Sequence, residues 1–282
     1  MSDILSIKKL ENLASFKNPL SGGRGALIMQ NPFSLENKNI VITGASSGIG
    51  RACAISCSQL GAKLLLIGRQ EAELEKTKAL LPSPELATIL VLDLTQFEAV
   101  TTTIKSAIAG FGPIDGAIHA AGISTTLPFR NITVEKMDHF FKVNVEAALH
   151  LTQLLIKPTN VSPKGASIVF ITSVMSQVGE SAKVLYSMSK GALLAASRSM
   201  AVELAPKKIR VNCIAPGVVD TPMSQQAYYS QNPELKERIT GLHPLGLGVP
   251  EDVANACIFL LSDSGRWVTG TQLMVDGGYT AR

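Results

Sequence analysis

A tyrosine and a lysine four residues apart are the side chains of this sequence best suited to acid–base chemistry. Tyr186 and Lys190 stand at the two ends of the segment YSMSK. On a helix, residues at i and i+4 lie on one face, about one turn apart. A free tyrosine has a pKa near ~10, and a neighbouring ammonium favours the phenolate and lowers that value. The pair is therefore a candidate general acid or base for alcohol and carbonyl chemistry, with an ordinary helix-surface contact as the alternative.

A serine upstream of this pair falls where a ligand would be expected. Ser173 precedes Tyr186 by thirteen residues and comes directly after the strand-like run 167–172. The carboxyl ends of parallel strands are where sheets of this kind bind ligands. An asparagine, Asn144, lies in the long amphipathic stretch after the fourth predicted strand.

A glycine-rich segment, TGASSGIG at residues 43–50, joins the first predicted strand to a helical stretch. Glycines allow a tight turn and let backbone amides approach a pyrophosphate, and a helix N-terminus adds free N–H groups and partial positive charge. The spacing is G-x-x-x-G-x-G rather than G-x-G-x-x-G. A plain turn is the alternative, but the position between strand and helix favours dinucleotide binding. The candidate cofactor contacts in this segment are Thr43, Gly44, Ser46, Ser47, Gly48, Ile49 and Gly50.

The end of the second predicted strand bears on the choice of cofactor. A carboxylate at this point usually binds the ribose 2′-hydroxyl of NAD. Here the strand ends in Gly68 and Arg69, and Arg69 could neutralise a 2′-phosphate through bidentate hydrogen bonds. NADP(H) is therefore favoured, while NAD(H) stays possible because Ser47 is not basic and Glu71 lies close by.

Short apolar runs alternate with amphipathic stretches from residue 39 onward, which predicts an α/β fold. Repeated β-α-β units with nearly continuous apolar strands indicate a three-layer, doubly wound Rossmann fold, with a parallel sheet of about seven strands in a single domain. We assign residues 1–35 to an N-terminal extension, expect residues 1–28 to be dispensable, and assign residues 36–282 to the catalytic domain. The predicted strands are 39–43, 63–67, 88–92, 114–119, 167–172, 210–214 and 272–275, and the predicted helices are 49–60, 71–81, 96–110, 135–157, 181–205 and 250–262.

The composition narrows the classes of function. The net charge is only +4 and Lys and Arg are spread along the chain, which argues against a nucleic-acid partner. No apolar run reaches the ~18 residues that span a bilayer, so no membrane partner is expected. The four cysteines lack zinc-ligand spacing, so no metal site is expected, and they are interpreted as buried thiols of a cytoplasmic protein.

The glycine loop, Asn144, Ser173, Tyr186 and Lys190 together resemble the short-chain dehydrogenase/reductase family over residues 36 to 279. In that family an aspartate after strand three contacts the adenine, and a later segment leads to the nicotinamide. One departure is His119-Ala120, where the family often has two asparagines; we interpret His119 as a core histidine paired with the backbone. The resemblance adds Asp93, Leu94, Ala121, Gly122, Pro216, Gly217, Val219 and Thr221 to the expected cofactor contacts.

The resemblance also implies roles for the four candidate catalytic residues. Tyr186 is expected to donate a proton to the ketone oxygen, or to remove it from an alcohol, and Ser173 to hydrogen-bond the same oxygen. Lys190 is expected to lower the pKa of Tyr186 and to hold the nicotinamide ribose. Asn144 is expected to anchor a water that connects Lys190 to solvent. Paired helices between subunits are expected to build a homotetramer.

The substrate is left open by the sequence. Residues 222–249, with Tyr228 and Tyr229, are expected to cover the substrate like a lid. The segment from Leu242 onward is similar to 3-oxoacyl-[acyl-carrier-protein] reductases, which suggests an acyl-thioester substrate. Hydroxysteroid, sugar or small-alcohol dehydrogenases remain alternatives, and a non-catalytic NADP(H)-binding sensor is the alternative of another class. Candidate carrier-docking residues are Arg130, Lys136 and Lys142, although a solvated helix face explains them as well.

Overall fold

A computed structural model describes residues 31–226 and 232–281 of the chain. A compact unit spans Pro32–Arg282, and within it Leu35 is fully buried, with its N–H donating to the carbonyl of Leu60. Packing therefore begins a few residues before the boundary expected at residue 36. The dispensability of residues 1–28 and the contribution of Tyr228 and Tyr229 to a lid lie outside the described residues and stay predictions.

Seven parallel strands form one sheet, as predicted, and each lies within two residues of its expected limits. Their order across the sheet is β3-β2-β1-β4-β5-β6-β7. The first three strands therefore extend the sheet to one side of β1, and β4 to β7 extend it to the other side, with the switch point between β1 and β4. At such a switch point the loops leaving the two strands diverge and open a crevice. The strands are β1 Asn39–Thr43, β2 Lys63–Gly68, β3 Ala87–Val91, β4 Gly116–His119, β5 Ala166–Ile171, β6 Ile209–Pro216 and β7 Gln272–Val275.

Helices cover both faces of this sheet, because successive strand residues point to opposite sides and both sides are apolar. The α-helices of the described residues are α1 Gly48–Gln59, α2 Glu71–Ala79, α3 Phe97–Phe111, α4 Val134–Phe141, α5 Ala147–Leu155, α6 Val184–Leu204, α7 Pro222–Gln225, α8 Pro233–Gly241 and α9 Pro250–Leu261. Ile40 and Ile42 pack toward α1 and α9, while Val41 packs toward α3, α5 and α6.

The predicted continuous helix over 135–157 is wrong in one respect. A π-helical turn, Lys142–Glu146, separates α4 from α5. Its physical cause lies in Asn144, whose side chain is fully engaged with another segment: Oδ1 accepts from the Ile123 N–H at 2.8 Å and Nδ2 donates to the Ile123 carbonyl at 3.0 Å. One extra residue in the turn brings this asparagine to the chain that leaves β4, and such bulges are frequent at functional sites.

Candidate active site

The glycine loop after β1 is shaped by close backbone contacts at the switch point. Gly44 has φ +65°, and a Cβ built there would lie 2.8 Å from the Ala121 nitrogen. A Cβ at Gly50 would lie 2.2 Å from the Gly44 carbonyl oxygen. Only glycine fits these two positions, so the loop can turn tightly and deliver the N-terminus of α1 to the crevice.

A cavity of about 330 Å³ runs along this loop and over the ends of β1, β2 and β4. It has the lining expected of a dinucleotide site, with backbone amides at one end and a guanidinium at the other. Thr43 is the one predicted loop contact outside the wall: it is buried, and its hydroxyl accepts a hydrogen bond from the Ala121 N–H at 3.1 Å. The predicted residues in the wall are Gly44, Ser46, Ser47, Gly48, Ile49, Gly50, Arg69, Asp93, Leu94, Ala121, Gly122 and Thr221.

The carbonyl groups of the glycine loop are held from behind by α1 and α2, a feature that the sequence motifs did not reveal. The Arg51 guanidinium donates to the Ser46 carbonyl and to Glu73 Oε2, the latter at 2.8 Å. Its Nε donates to the Thr77 hydroxyl at 2.9 Å, and the single proton of that hydroxyl is shared between the Ala45 carbonyl at 2.9 Å and the Glu73 carbonyl at 3.0 Å. We call Arg51, Glu73 and Thr77 the loop bracket. It occupies the loop's oxygens on the α2 side, away from the cavity.

The end of the cavity beside β2 and β3 combines one carboxylate with nearby positive charge. Asp93 accepts hydrogen bonds from the Thr95 N–H and hydroxyl at 2.9 and 2.8 Å. These bonds, and the charges of Arg69 and Lys142, hold the pKa of Asp93 below its usual value. Arg69 itself is exposed at the end of β2. The region therefore carries an ionised acid flanked by cations, which suits recognition of a polar, anionic group.

Ser173 and Tyr186 lie together on the other side of the crevice. Ser173 caps the turn Val174–Ser176 after β5, and its Oγ accepts from the Met175 N–H at 3.2 Å. The hydroxyl proton is then available to donate to the Tyr186 oxygen. Burial raises the pKa of Tyr186, and the hydrogen bond from Ser173 opposes that rise. The pKa of Tyr186 is therefore raised, whereas Lys190 was expected to lower it, because burial is the larger effect.

Lys190 is buried beneath Tyr186 on the same face of α6. Its Nζ lies 5.6 Å from the Tyr186 ring centroid and donates to the Ile171 carbonyl at 2.8 Å. Burial lowers the pKa of Lys190 to about 8, so it is mostly protonated at neutral pH. A Cβ at Gly122 would lie 3.5 Å from this ammonium and 3.1 Å from Asn144 Oδ1. The missing side chain at Gly122 therefore keeps the crevice open toward Lys190.

Asn144 lies behind the crevice and does not line either cavity. Its side chain holds Ile123 in both directions and donates to the Ser189 hydroxyl at 2.9 Å, one residue before Lys190. The asparagine therefore links the segment after β4 to the helix that carries the tyrosine and lysine.

A second cavity, of about 180 Å³, adjoins the first and holds the tyrosine and serine. The two share Ile49, Gly122 and Thr221, so a cofactor and a substrate can meet there. Besides Ser173, Tyr186 and Lys190, its predicted wall residues are Pro216, Gly217 and Val219. Met223, Ser224 and Ile239 in this wall come from the stretch 222–249 that was expected to cover the substrate. Sequence reasoning missed the other side chains of the wall, which come from three separate segments: Ser124, Val174, Met175, Glu180, Lys183 and Val218.

His243, for which no role was predicted, lies behind the wall of this cavity. Its Nε2 accepts from the Val218 N–H at 3.1 Å, and its Nδ1 bonds the Ile239 carbonyl at 2.8 Å. A Cβ at Gly217 would lie 2.8 Å from Nε2. The imidazole thus supports the segment after β6 from below and fixes its path along the cavity.

His119 is a core histidine, as expected, but its partner is a side chain rather than the backbone. Its Nε2 bonds the Thr152 hydroxyl at 2.9 Å, and its ring stacks on Phe170. Since Thr152 gives its proton to the Ala148 carbonyl, the histidine must donate from Nε2. Its Nδ1 is buried without a hydrogen-bond partner among the described residues, and burial lowers its pKa to about 3.

The described part of the chain has neither a membrane-spanning helix nor a cluster of metal ligands. None of its helices is long and apolar enough to cross a bilayer. No group of three or more His, Cys, Asp or Glu residues within residues 31–226 and 232–281 is placed to hold a metal ion.

Comparison with known proteins agrees with this architecture. The model of a family described as Enoyl-(Acyl carrier protein) reductase matches residues 44–280. The chain is similar to L-xylulose reductase of Bos taurus, with 34% identity over 88% of this chain and 98% of that protein. It is similar to the 3-oxoacyl-[acyl-carrier-protein] reductase FabG of Thermotoga maritima, with 33% identity over 86% of this chain and 98% of that protein. A solved dehydrogenase/reductase from Sinorhizobium meliloti 1021 superposes with a TM-score of 0.79, at 27% identity over 88% of this chain and 97% of that one.

Proposed function

The chain belongs to the short-chain dehydrogenase/reductase family, and we propose that it is an NADP(H)-dependent reductase of small polar ketones. Transfer of a hydride between a nicotinamide and a ketone or secondary alcohol is the activity of an oxidoreductase of this family. The observation that carries the proposal is the meeting of Ser173 and Tyr186 with the dinucleotide cavity at Gly122 and Ile49. Ketone-dependent oxidation of NADPH by the purified chain tests it.

The residues of the first cavity fit a nicotinamide dinucleotide. The glycines leave room that a Cβ would fill, and α1 points its N-terminus at the loop. The preference for NADP(H) is supported by Arg69, exposed at the end of β2 with Lys142 as a second cation near Asp93. Use of NAD(H) is the alternative, since Glu71 follows closely. Affinity for NADPH and NADH, measured side by side, decides between them.

The proposed mechanism divides the work among four side chains. The chemistry supplied by a bound nicotinamide is hydride transfer to or from the substrate carbon. Tyr186 donates the proton to the ketone oxygen, and Ser173 hydrogen-bonds that oxygen as its negative charge develops. Lys190 places an ammonium beneath the phenol and faces the open space at Gly122. Asn144 ties the segment after β4 to α6, the helix that carries Tyr186 and Lys190. We propose that a water lies between the π turn of Asn144 and Lys190.

For the substrate, we propose a short ketone with neighbouring hydroxyl groups, such as a ketose. The substrate cavity is small, at about 180 Å³, and its wall mixes apolar side chains with hydroxyl, carboxylate and ammonium groups at Ser124, Glu180, Lys183 and Ser224. The similarity to L-xylulose reductase supports this class. A panel of ketoses, cyclic ketones, steroids and acetoacetyl thioesters, followed by NADPH oxidation, tests it. A preference for an unsubstituted steroid ketone would contradict it.

A 3-oxoacyl thioester is the second candidate substrate. It is supported by the similarity to the Thermotoga enzyme and by apolar wall residues such as Met175, Met223 and Ile239. The basic residues proposed for carrier docking are partly engaged within the chain. Lys136 Nζ donates to the Asn131 carbonyl at 2.8 Å, and Lys142 Nζ lies 5.6 Å from the Phe97 ring centroid. Comparing a carrier-bound thioester with its free analogue tests whether Arg130, Lys136 and Lys142 dock a carrier protein.

We further propose two-fold assembly through α6, as part of a homotetramer. Apolar residues Val184, Met188, Ala195 and Val202 are exposed along this helix at spacings of four and seven, so they share a face. An apolar helix face of this kind is buried when two copies pair around a two-fold axis. Light scattering tests this, and a monomer at micromolar concentration would contradict it.

A cytoplasmic location is proposed from the state of the cysteines. Cys53, Cys57, Cys213 and Cys257 are all free and buried, as thiols are in a reducing compartment. Burial also raises the pKa of Cys57 and Cys257, which keeps them as unreactive thiols. Fractionation of the source cells tests the location.

A further inference from the structure

A set of side-chain hydrogen bonds ties the last strand to the turn that carries Ser173. Gln272, the first residue of β7, donates from Nε2 to the Thr172 hydroxyl at 3.0 Å and to the Ser176 hydroxyl at 2.5 Å. Its Oε1 accepts from Gln177 Nε2 at 2.6 Å. Both amide protons and the amide oxygen of Gln272 are therefore engaged at this turn.

The direction of every bond in this set is fixed by the two hydroxyls. The Thr172 hydroxyl donates to the Ile214 carbonyl at 2.8 Å, and the Ser176 hydroxyl donates to the Ser173 carbonyl at 2.6 Å. Since a hydroxyl has one proton, each can only accept from Gln272. If the Gln272 amide were flipped, its oxygen would face two hydroxyl oxygens whose protons are already donated elsewhere. A donating amide is therefore required at position 272.

Ser173 lies between the two hydroxyls that Gln272 holds. Thr172 precedes it directly, and Ser176 closes the 3₁₀ turn that begins at it, with the Ser176 N–H donating to the Ser173 carbonyl at 3.0 Å. The backbone on both sides of Ser173 is thus fixed from β7, while its own Oγ faces Tyr186. Gln272 itself lines neither cavity.

We propose that Gln272 is a positioning residue that holds the Ser173 hydroxyl in line with Tyr186 and the substrate oxygen, acting through Thr172 and Ser176. The inference rests on the proposed function for its kinetic consequence. Without the amide, the Thr172 and Ser176 hydroxyls have no shared hydrogen-bond donor. The Ser173 hydroxyl is then held less precisely toward Tyr186. Loss of one well-placed oxyanion donor costs about 10²- to 10³-fold in kcat, so partial misplacement is expected to cost about tenfold.

The pH profile gives a readout that general destabilisation would not move. The bond from Ser173 lowers the pKa of Tyr186, so a misplaced Ser173 lets that pKa rise. Alcohol oxidation needs the phenolate, and its rise with pH therefore moves to higher pH. The other titratable groups near the phenol are Lys190 on α6, Glu180 and Lys183 before it, and the Cys213 thiol on β6. None of these is altered by an uncharged change at position 272.

The experiment compares Gln272→Met with wild type, alone and in a Ser173→Ala background. Methionine keeps the length of the side chain and removes both donors without adding charge. We expect kcat to fall about tenfold, the KM for NADPH to stay within twofold and the oxidation profile to move to higher pH. In the Ser173→Ala background the same change is expected to have no further effect on kcat. Gln153→Met, on an exposed position of α5, is the matched control.

Two outcomes would overturn the inference. One is an unchanged kcat and pH profile in Gln272→Met; the other is an equal loss with and without Ser173. Crystal structures of wild type and Gln272→Met separate this inference from the proposed function, because they do not depend on turnover. If the Ser173 hydroxyl is displaced in Gln272→Met and wild type reduces no ketone of the panel, the positioning role of Gln272 is supported and the proposed function is refuted. An undisplaced hydroxyl would refute the positioning whatever the activity.

Discussion

The two halves of the crevice are built in different ways. In the proposed cofactor half, one wall is the glycine loop, where Gly44 and Gly50 leave no room for a side chain and the loop bracket fixes the carbonyls, and the segments after β2, β3 and β4 complete the cavity. In the proposed substrate half, the wall consists of side chains from the ends of β4, β5 and β6 and from the segment around α7 and α8. The first half is therefore built around one backbone turn, whereas the second is built from side chains of segments far apart in the chain.

This difference implies that binding and chemistry can be damaged separately. A change in the substrate half should leave the cofactor affinity intact, because the loop bracket and the glycine loop, apart from Ile49, do not line the second cavity. A change in the loop bracket should weaken the cofactor without altering proton transfer. Three experiments test the separation and one tests the scaffold beneath both halves, beginning with the largest expected effect.

Replacement of Tyr186 by phenylalanine is the strongest test of this separation. The change removes the proposed proton donor and keeps the ring, so we expect kcat to fall by about 10³-fold or more. NADPH affinity, measured by the change in cofactor fluorescence on binding, should stay within about twofold of wild type. Near-normal turnover would exclude the mechanism, and a parallel loss of cofactor affinity would show that the two halves are not separable.

The scaffold beneath both halves is tested through His119. Its pKa is lowered to about 3 in the folded chain, against an ordinary value near ~6.5, so the unfolded state binds more protons below pH 6.5. Stability is therefore lost as pH falls. We expect about 2 kcal/mol less free energy of unfolding at pH 5 than at pH 7 from this residue.

The matched variant is His119→Asn, which cannot titrate. Urea unfolding at pH 5 and pH 7 should show that the variant lacks this part of the acid sensitivity. An equal loss of unfolding free energy between pH 7 and pH 5 in both proteins would mean that His119 is already accessible to protons in the folded state.

Within the cofactor half, Arg69→Ala and Arg51→Ala should differ in kind. Arg69 is proposed to bind the 2′-phosphate, so its loss should reduce the ratio of NADPH to NADH affinity by about 10- to 100-fold. Arg51 acts through the loop carbonyls, so its loss should weaken NADPH and NADH alike, with partial recovery in Arg51→Lys. Titration of both cofactors against both variants measures this. A selective loss of NADPH in Arg51→Ala would assign the 2′-phosphate to Arg51 instead.

The smallest effect is expected at the rim of the substrate half. Lys183 Nζ donates to the Thr125 carbonyl at 3.2 Å and to the Thr126 hydroxyl at 2.9 Å, and so fixes one wall of the cavity. Lys183→Met should raise the KM for the ketone about threefold, with kcat and the KM for NADPH unchanged. Lys164→Met, exposed just before β5 at the amino end of that strand, is the control. A change in cofactor KM would show that this wall reaches across to the first cavity.

The same contrast separates what the sequence could predict from what it could not. Strand periodicity and the glycine spacing are local, so the seven strands, the loop and the line from Ser173 to Tyr186 were predictable. The loop bracket, the His243 support and the Gln272 set join residues far apart in the chain, and no local pattern signals them. The π turn at Asn144 was missed because its cause is the contact with Ile123. The pKa direction of Tyr186 was misjudged because burial, which opposes Lys190, depends on the finished pocket.

The attachment of the Ser173 turn to β7 makes this turn depend on an outer strand of the sheet. Gln272 follows Thr172 by 100 residues, and among the described strands β7 pairs with β6 alone. A strand held on one side can open locally more easily than a central strand. We therefore expect local opening at β7 to release the Ser173 turn while the glycine loop after β1 stays closed.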